Sequence, residues 1–426
     1  MKYVLKVKVL LLIILFIFYC QITYSQKVKA SVFGIDQNDD TQCLLKAIMS
    51  DVDTIIVDNI NRPWLVRPLR FENLTNKTII FEEGVALCAV PGAFKNPTDD
   101  LLRFSNSFNI KLIGNNTSIS MNKEEYIDGE WRHIISLRNC KNIMIKGFHL
   151  RDSGGDGIYI SGLGEDTFSE NITIEDVLSS NNKRQGMSII SVRNLIVKNS
   201  HFSKTNGTLP EAGIDIEPNR PEDRIVNVNF ENCVFSENNH SGIKIALHNL
   251  TSNSFQVSIS FKNCVLRNNH HPNNPQVPAE ITINANKRDP VKGLVLFENC
   301  FIEKSNWGIL YSRKRSDAFR VVFKNCAAEN ICQSQRTPPI SLEVPDYYRN
   351  LGALGGIDFG EFFISYNESL PVFKVRGSKL QTLRLADISG RFVIYNTNLE
   401  GNYSKYIQYN PFFNTKVNME FIEKSK

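Results

Sequence analysis

Apolar residues in this chain fall in short alternating runs broken by Asn, Gly and Ser, and two phrases keep returning. The first is an alternating run that ends in an Asn-rich turn, as in NIMIKGFHLRDS (142–153), NITIEDVLSSNN (171–182), NLIVKNSHFSKTNG (194–207) and VNFENCVFSENN (228–239). The second is a small residue followed by a short β-branched segment: GDGIYI, RQGMSI, EAGIDI, HSGIKI, PAEITI and NWGILY. Its register positions are Gly157, Gly186, Gly213, Gly242, Glu280 and Gly308, at intervals of 29, 27, 29, 38 and 28 residues. Each interval holds two or three strand-like segments and no convincing amphipathic helix. Such a repeat predicts an all-β fold, a right-handed parallel β-helix whose turns take about 28 residues each.

Alternation also assigns faces. Ile158/Ile160, Met187/Ile189, Ile214/Ile216, Ile243/Ile245 and Ile281/Ile283 point inward, so the residue between each pair points out. With turns stacked about 4.8 Å apart, Tyr159, Ser188, Asp215, Lys244 and Thr282 form one outward ladder. Two residues before each register glycine stand Arg184, Glu211 and His240, and two after the ladder stands Glu217. These ionisable groups are expected to share one patch. Longer insertions border it at 205–210, at 219–224 with Arg220, and at 270–278, and would form the walls of a groove. Four of the nine cysteines, Cys233, Cys264, Cys300 and Cys326, follow Asn in near-identical strings. That recurrence predicts buried free thiols at one inward position rather than disulfides.

The start of the chain is different. Lys2, Lys6 and Lys8 precede an apolar run, no acidic residue falls before Gln26, and Ser25 is a small residue at a cleavage position. Residues 1–25 are therefore expected to be a signal peptide, and 26–426 a single β-helix domain that is secreted or periplasmic. Within it, 30–60 would make an N-terminal cap and first strand, 61–340 the main coils, and 341–426 the last coils and a C-terminal cap. Tyr19 makes Cys20 a poor site for lipid anchoring. Removing the three lysines leaves 46 of the 49 basic residues against 44 acidic ones, a net +2, which argues against a nucleic-acid partner. No later apolar run is long enough to be a transmembrane segment.

FGIDQNDDTQCLLKAI (33–48) has an acidic helix start followed by an amphipathic stretch, as an N-terminal cap helix requires. It is similar to the GxxDDTxxLxxAI opening of many pectin-lyase-like β-helix proteins. As in them, a strand (TIIVDNI, 54–60) and a PLRF segment follow. The resemblance spans roughly residues 30–410 and implies that fold, together with a carbohydrate-active protein.

The patch suits chemistry on acidic carbohydrate. β-Elimination beside a uronic-acid carboxylate needs a cation to neutralise that carboxylate, a base for the C5 proton and an acid for the leaving oxygen. Arg184 and Lys244 can pair with the carboxylate, with Arg220 on the rim; Tyr159, His240 or His201 can move the proton. Glu211, Asp215 and Glu217 can tune their neighbours, and Asp215 and Glu217 could ligate calcium, the one cofactor considered. The expected activity is thus a polysaccharide lyase or oligosaccharide dehydratase. The first alternative is a glycoside hydrolase, since Asp215 and Glu217 should lie about 6.6 Å apart along the strand, near the inverting range. A C5-epimerase and a non-catalytic carbohydrate-binding solenoid are further alternatives. GDGIYI resembles one element of the polygalacturonase pattern, but Arg184-Gln185-Gly186 stands where that pattern has paired aspartates. The DPHE string of mannuronan-epimerase-like sites is absent.

Overall fold

The computed structural model describes residues 27–270, 279–334, 337–343, 352–366, 371–376, 384–395, 407–408 and 414–424. The signal-peptide segment, Cys20 and most of the 270–278 insertion lie outside these residues. The chain winds into a parallel β-solenoid of about 12 turns. One sheet has 12 strands, one per turn, from Leu69–Glu72 to Ile407–Gln408. The other has 22 strands and takes the first phrase of the repeat, commonly as two short strands per turn such as Ser169–Glu175 and Leu178–Ser180. Helix is scarce: among the described residues the α-helix is Thr41–Met49, which buries Cys43, Leu44, Ala47 and Ile48 in the solenoid's core. No helix of the described residues is long and apolar enough to cross a membrane.

Each recurring phrase has a physical reason. In the FxNC strings the asparagines Asn232, Asn263, Asn299 and Asn325 have φ of 52–55°, the left-handed region that Asn tolerates better than most residues. Their amides bond from turn to turn, Asn263 to Asn232 and Asn299 to Asn263, both at 3.2 Å. The residue after each corner turns inward, which is why Cys233, Cys264, Cys300 and Cys326 are free and buried. Beside them Phe230, Phe261, Phe297, Phe323 and Phe359 stack face to face with centroids 4.8–5.3 Å apart. The register glycines answer a close approach. A Cβ at Gly186 would lie 2.5 Å from the Gly213 carbonyl oxygen, and one at Gly213 would lie 2.6 Å from that of Gly242.

The repeat slips once. Sequence alignment sets Gly308 opposite Glu280, but the structure pairs Gly308 with Ala279 and Tyr311 with Thr282. The Ile309 and Leu310 amides both donate to the Pro339 carbonyl, at 2.7 and 3.1 Å, so this turn absorbs an extra residue.

Candidate active site

Along the 12-stranded sheet, Ser136, Tyr159, Ser188, Asp215, Lys244 and Thr282 pair in succession. Two residues on, Arg138 pairs with Ser161, and backbone bonds from Ile190 to Ile160 and from Glu217 to Ile189 carry that row forward. Outward does not mean exposed here. Asp215 is 1% exposed, because charged neighbours close over it. Lys244 Nζ lies 3.0 Å from Asp215 Oδ2 and 3.3 Å from Glu217 Oε2, and Gln185 Nε2 donates to Asp215 Oδ2 at 3.1 Å. Arg184 lies across the cluster: its Nε donates to Glu130 Oε2 at 2.8 Å, with Asp156 Oδ1 at 3.6 Å and Glu217 Oε2 at 3.8 Å. Four carboxyl groups thus gather around two cations.

That excess of acid over base sets the protonation states. Burial, reinforced by Asp215, pushes Glu217 up to about 7. Burial pushes Asp156 up to about 7, against the pull of Arg184. Geometry agrees for Asp156. Its backbone N–H donates to His133 Nδ1 at 3.0 Å, so that nitrogen is an acceptor, yet Asp156 Oδ2 stands 3.2 Å from it. An acceptor nitrogen this close disfavours a carboxylate there, in the same direction as burial. Burial would lower the Lys244 pKa, but Asp215 and Glu217 outweigh it and hold the amine charged. Burial raises the Tyr159 pKa, so the side chain remains a phenol. Its ring stacks on His133 at 4.5 Å, with the Arg138 guanidinium 5.1 Å from the ring centre.

Of the residues singled out in the sequence, Arg184, Asp215, Glu217 and Lys244 meet in this cluster, and Tyr159 borders it. The carboxylates of Asp215 and Glu217 do not keep the separation expected along the strand; both bend to one ammonium. His240 is buried against His270, centroids 5.2 Å apart, and burial pushes it down to about 3. Glu211 turns to its own loop, accepting from Gly207 N at 2.5 Å and Asn239 Nδ2 at 3.4 Å. Arg220 stands on the rim of a pocket of about 160 Å³, together with Arg138, Tyr159, Ser161, Ile190 and Asp223. His201 is a correction. It lies on the strand His201–Ser203 of the 22-stranded sheet, with Nε2 2.7 Å from Ser236 Oγ, because its phrase is the one that builds the other sheet.

Sequence reasoning missed Asp156, Glu130, His133, Gln185 and Arg138. Strict alternation puts Asp156 and Gln185 on the inward side, but each starts its strand just before a register glycine, where alternation no longer governs direction. Glu130 and His133 come from the segment leading into the strand Ile135–Arg138, and no repeat phrase marks them. Calcium does not fit between Asp215 and Glu217, because Lys244 Nζ occupies the place where a bridging cation would sit.

No family model matches the sequence, and no curated relative matches it. Solved structures do match the fold. The mannuronan C-5 epimerase AlgE6 A-module of Azotobacter vinelandii has a TM-score of 0.62 at 12% identity, over 93% of this chain and 99% of that one. The family 28 exopolygalacturonase of Yersinia enterocolitica gives 0.60 at 14% identity, over 93% and 78%. The PfbA surface adhesin of Streptococcus pneumoniae gives 0.58 at 12% identity, over 93% of each chain. The fold is thus the parallel β-helix that these structures share. Two enzymes and an adhesin share it, so the reaction has to be argued from the side chains.

Proposed function

We propose that this protein hydrolyses glycosidic bonds in an acidic poly- or oligosaccharide, with Glu217 as the proton donor. The observation that carries the reading is Glu217 itself: a carboxyl whose side chain is 27% exposed, held protonated to near-neutral pH beside Asp215 and sharing its ammonium partner. Glu217 gives its proton to the glycosidic oxygen as the C–O bond breaks. Water adds to the anomeric carbon and gives up a proton to solvent, from which Glu217 is reprotonated, while Asp215, 1% exposed, acts only by keeping Glu217 protonated. Lys244 holds both carboxyl groups in place throughout.

Elimination, the first expectation from sequence, has less support. It needs a base at C5, and Arg184 and Lys244, the cations expected to pair with the substrate carboxylate, are turned to Glu130, Asp156, Asp215 and Glu217. Lys244 is held charged and Tyr159 is held as a phenol. An acidic substrate is supported by the pocket, where Arg138 and Arg220 flank Tyr159 and Ile190, next in register to Glu217. The exopolygalacturonase and the mannuronan epimerase of like fold agree in kind. We further read residues 1–25 as an export signal, 26–426 as one unit acting outside the cytoplasm, and Thr41–Met49 as the helix that covers its N-terminal end.

The test is incubation with a panel of uronic-acid polysaccharides and oligosaccharides, following reducing ends and near-ultraviolet absorbance together. New reducing ends without a rise in absorbance are expected, and Glu217→Gln should slow their release by about 100-fold or more. A rise in absorbance, from a C4=C5 double bond conjugated to the carboxylate, would replace hydrolysis by elimination. Binding with neither signal would leave a non-catalytic carbohydrate-binding solenoid.

A further inference from the structure

Two loops border the N-terminal ends of the strands that carry the site. The first leads from the 3-10 turn Lys123–Glu125 to the strand Ile135–Arg138, and it is held firmly. Arg132, 2% exposed, donates to the carbonyls of Phe94 at 3.0 Å and Lys95 at 3.1 Å and to Asp128 Oδ1 at 3.0 Å. Glu125 accepts from the Gly92 amide at 2.8 Å, and Lys183 donates to the Tyr126 carbonyl. The second loop, 205–210, is joined to the first: Lys123 Nζ donates to Asn206 Oδ1 at 2.9 Å, and Thr208 N donates to the Lys183 carbonyl at 2.8 Å.

On this anchored frame Tyr126 and Ile134 pack inward, and three large apolar side chains face solvent. Ile127 is 94% exposed, Trp131 46% and Leu209 48%, whereas Trp64 and Trp307 are buried. A rigid loop that shows its tryptophan to water has the form of a binding platform, since little ordering is lost when a ligand covers it. Its position suggests the ligand. Glu130, the residue before Trp131, bonds Arg184, which touches Asp156 and Glu217. An indole next to a charged rim matches a pyranose ring, which has an apolar C–H face and a polar edge. A protein partner would need a far larger continuous patch than three side chains interspersed with Lys123, Asp128 and Glu130.

We propose that Trp131 is a sugar-binding platform, taking the apolar face of a pyranose ring of the same polysaccharide at a subsite next to the bond cleaved at Glu217. This rests on the carbohydrate reading of the site. Because Trp64 and Trp307 are buried, a change of intrinsic fluorescence on adding oligogalacturonate or oligomannuronate to the full chain reports Trp131. A saturable change is expected. Trp131→Ala should abolish it and raise KM about tenfold while kcat holds, and Trp131→Phe should restore most of the affinity. If the wild type cleaves but shows no spectral change, and Trp131→Ala keeps its KM, the platform is overturned and the hydrolase reading stands. If no sugar of the panel is bound or cleaved, the carbohydrate reading falls and the platform falls with it. Concentration-dependent self-association that Trp131→Ala abolishes, without sugar binding, would overturn the platform in favour of an interface between copies.

Discussion

Glu217 and Asp156 are both carboxylic acids kept protonated by burial, but their surroundings separate their roles. Asp156 is fully buried between His133 and Arg184, so it can hold Arg184 in place but cannot meet a substrate. Glu217 reaches the surface beside the Arg138 and Arg220 pocket. A proton donor works only while it holds its proton, and Glu217 loses it as pH rises through about 7. The rate should therefore hold on the acid side of neutrality and fall above it, with an apparent pKa near that of Glu217. A kcat/KM–pH series, which reports the free enzyme, checks this. Asp156→Asn should keep the alkaline limb, whatever it does to the rate, because its amide leaves Glu217 next to Asp215. Loss of the limb in Asp156→Asn would move the proton donor to Asp156.

At the scale of the element, the Asn–Cys corner explains how a weak-looking pattern specifies a turn. Asn263 has φ of 53° and its amide continues the asparagine ladder, so Asn263→Ala loses both a tolerated left-handed residue and a bond. It should cost about 1–2 kcal/mol, and Asn263→Gly less, since glycine adopts that φ without strain; thermal melting of the pair separates the two effects. The same logic decides what the sequence could show. The solenoid and the Tyr159–Ser188–Asp215–Lys244 ladder were legible because inward Ile pairs, register glycines and αL asparagines recur once per turn. Asp156 was not, because the first residue of a strand escapes alternation. Glu130 was not, because it comes from a loop that occurs once. The direction of the Lys244 and Arg184 side chains was likewise hidden: period places a Cα, but only the balance of buried charge tells that both cations turn back onto protein carboxylates.

Over the whole molecule, a solenoid's stability is set by how well each turn joins the next, and Glu280 sits at such a joint. It occupies the position held by register glycines in the turns before it and is fully buried. An internal ladder of asparagines ends on it: Asn238 Nδ2 donates to Asn269 Oδ1 at 2.7 Å, and Asn269 Nδ2 donates to Glu280 Oε2 at 2.6 Å. Burial pushes Glu280 up to about 7 from the ordinary 4.5. A raised acid binds its proton more tightly when folded, so its contribution is full below pH 4.5 and is lost as pH climbs through about 7. Asn269 N also donates to Glu280 Oε1 at 3.2 Å, so Glu280→Gln keeps one of the two acceptor oxygens for Asn269, at a cost that does not vary with pH, and cannot ionise. The stability of the wild type relative to Glu280→Gln should thus fall between pH 5 and pH 8, by up to about 3 kcal/mol. Other titrating groups, such as His240, shift both proteins alike and cancel in the difference, so paired melting curves at the two pH values isolate this one joint. A difference that does not change with pH would mean that Glu280 is ionised throughout, with the Asn238–Asn269 ladder stabilising a buried carboxylate rather than a neutral acid.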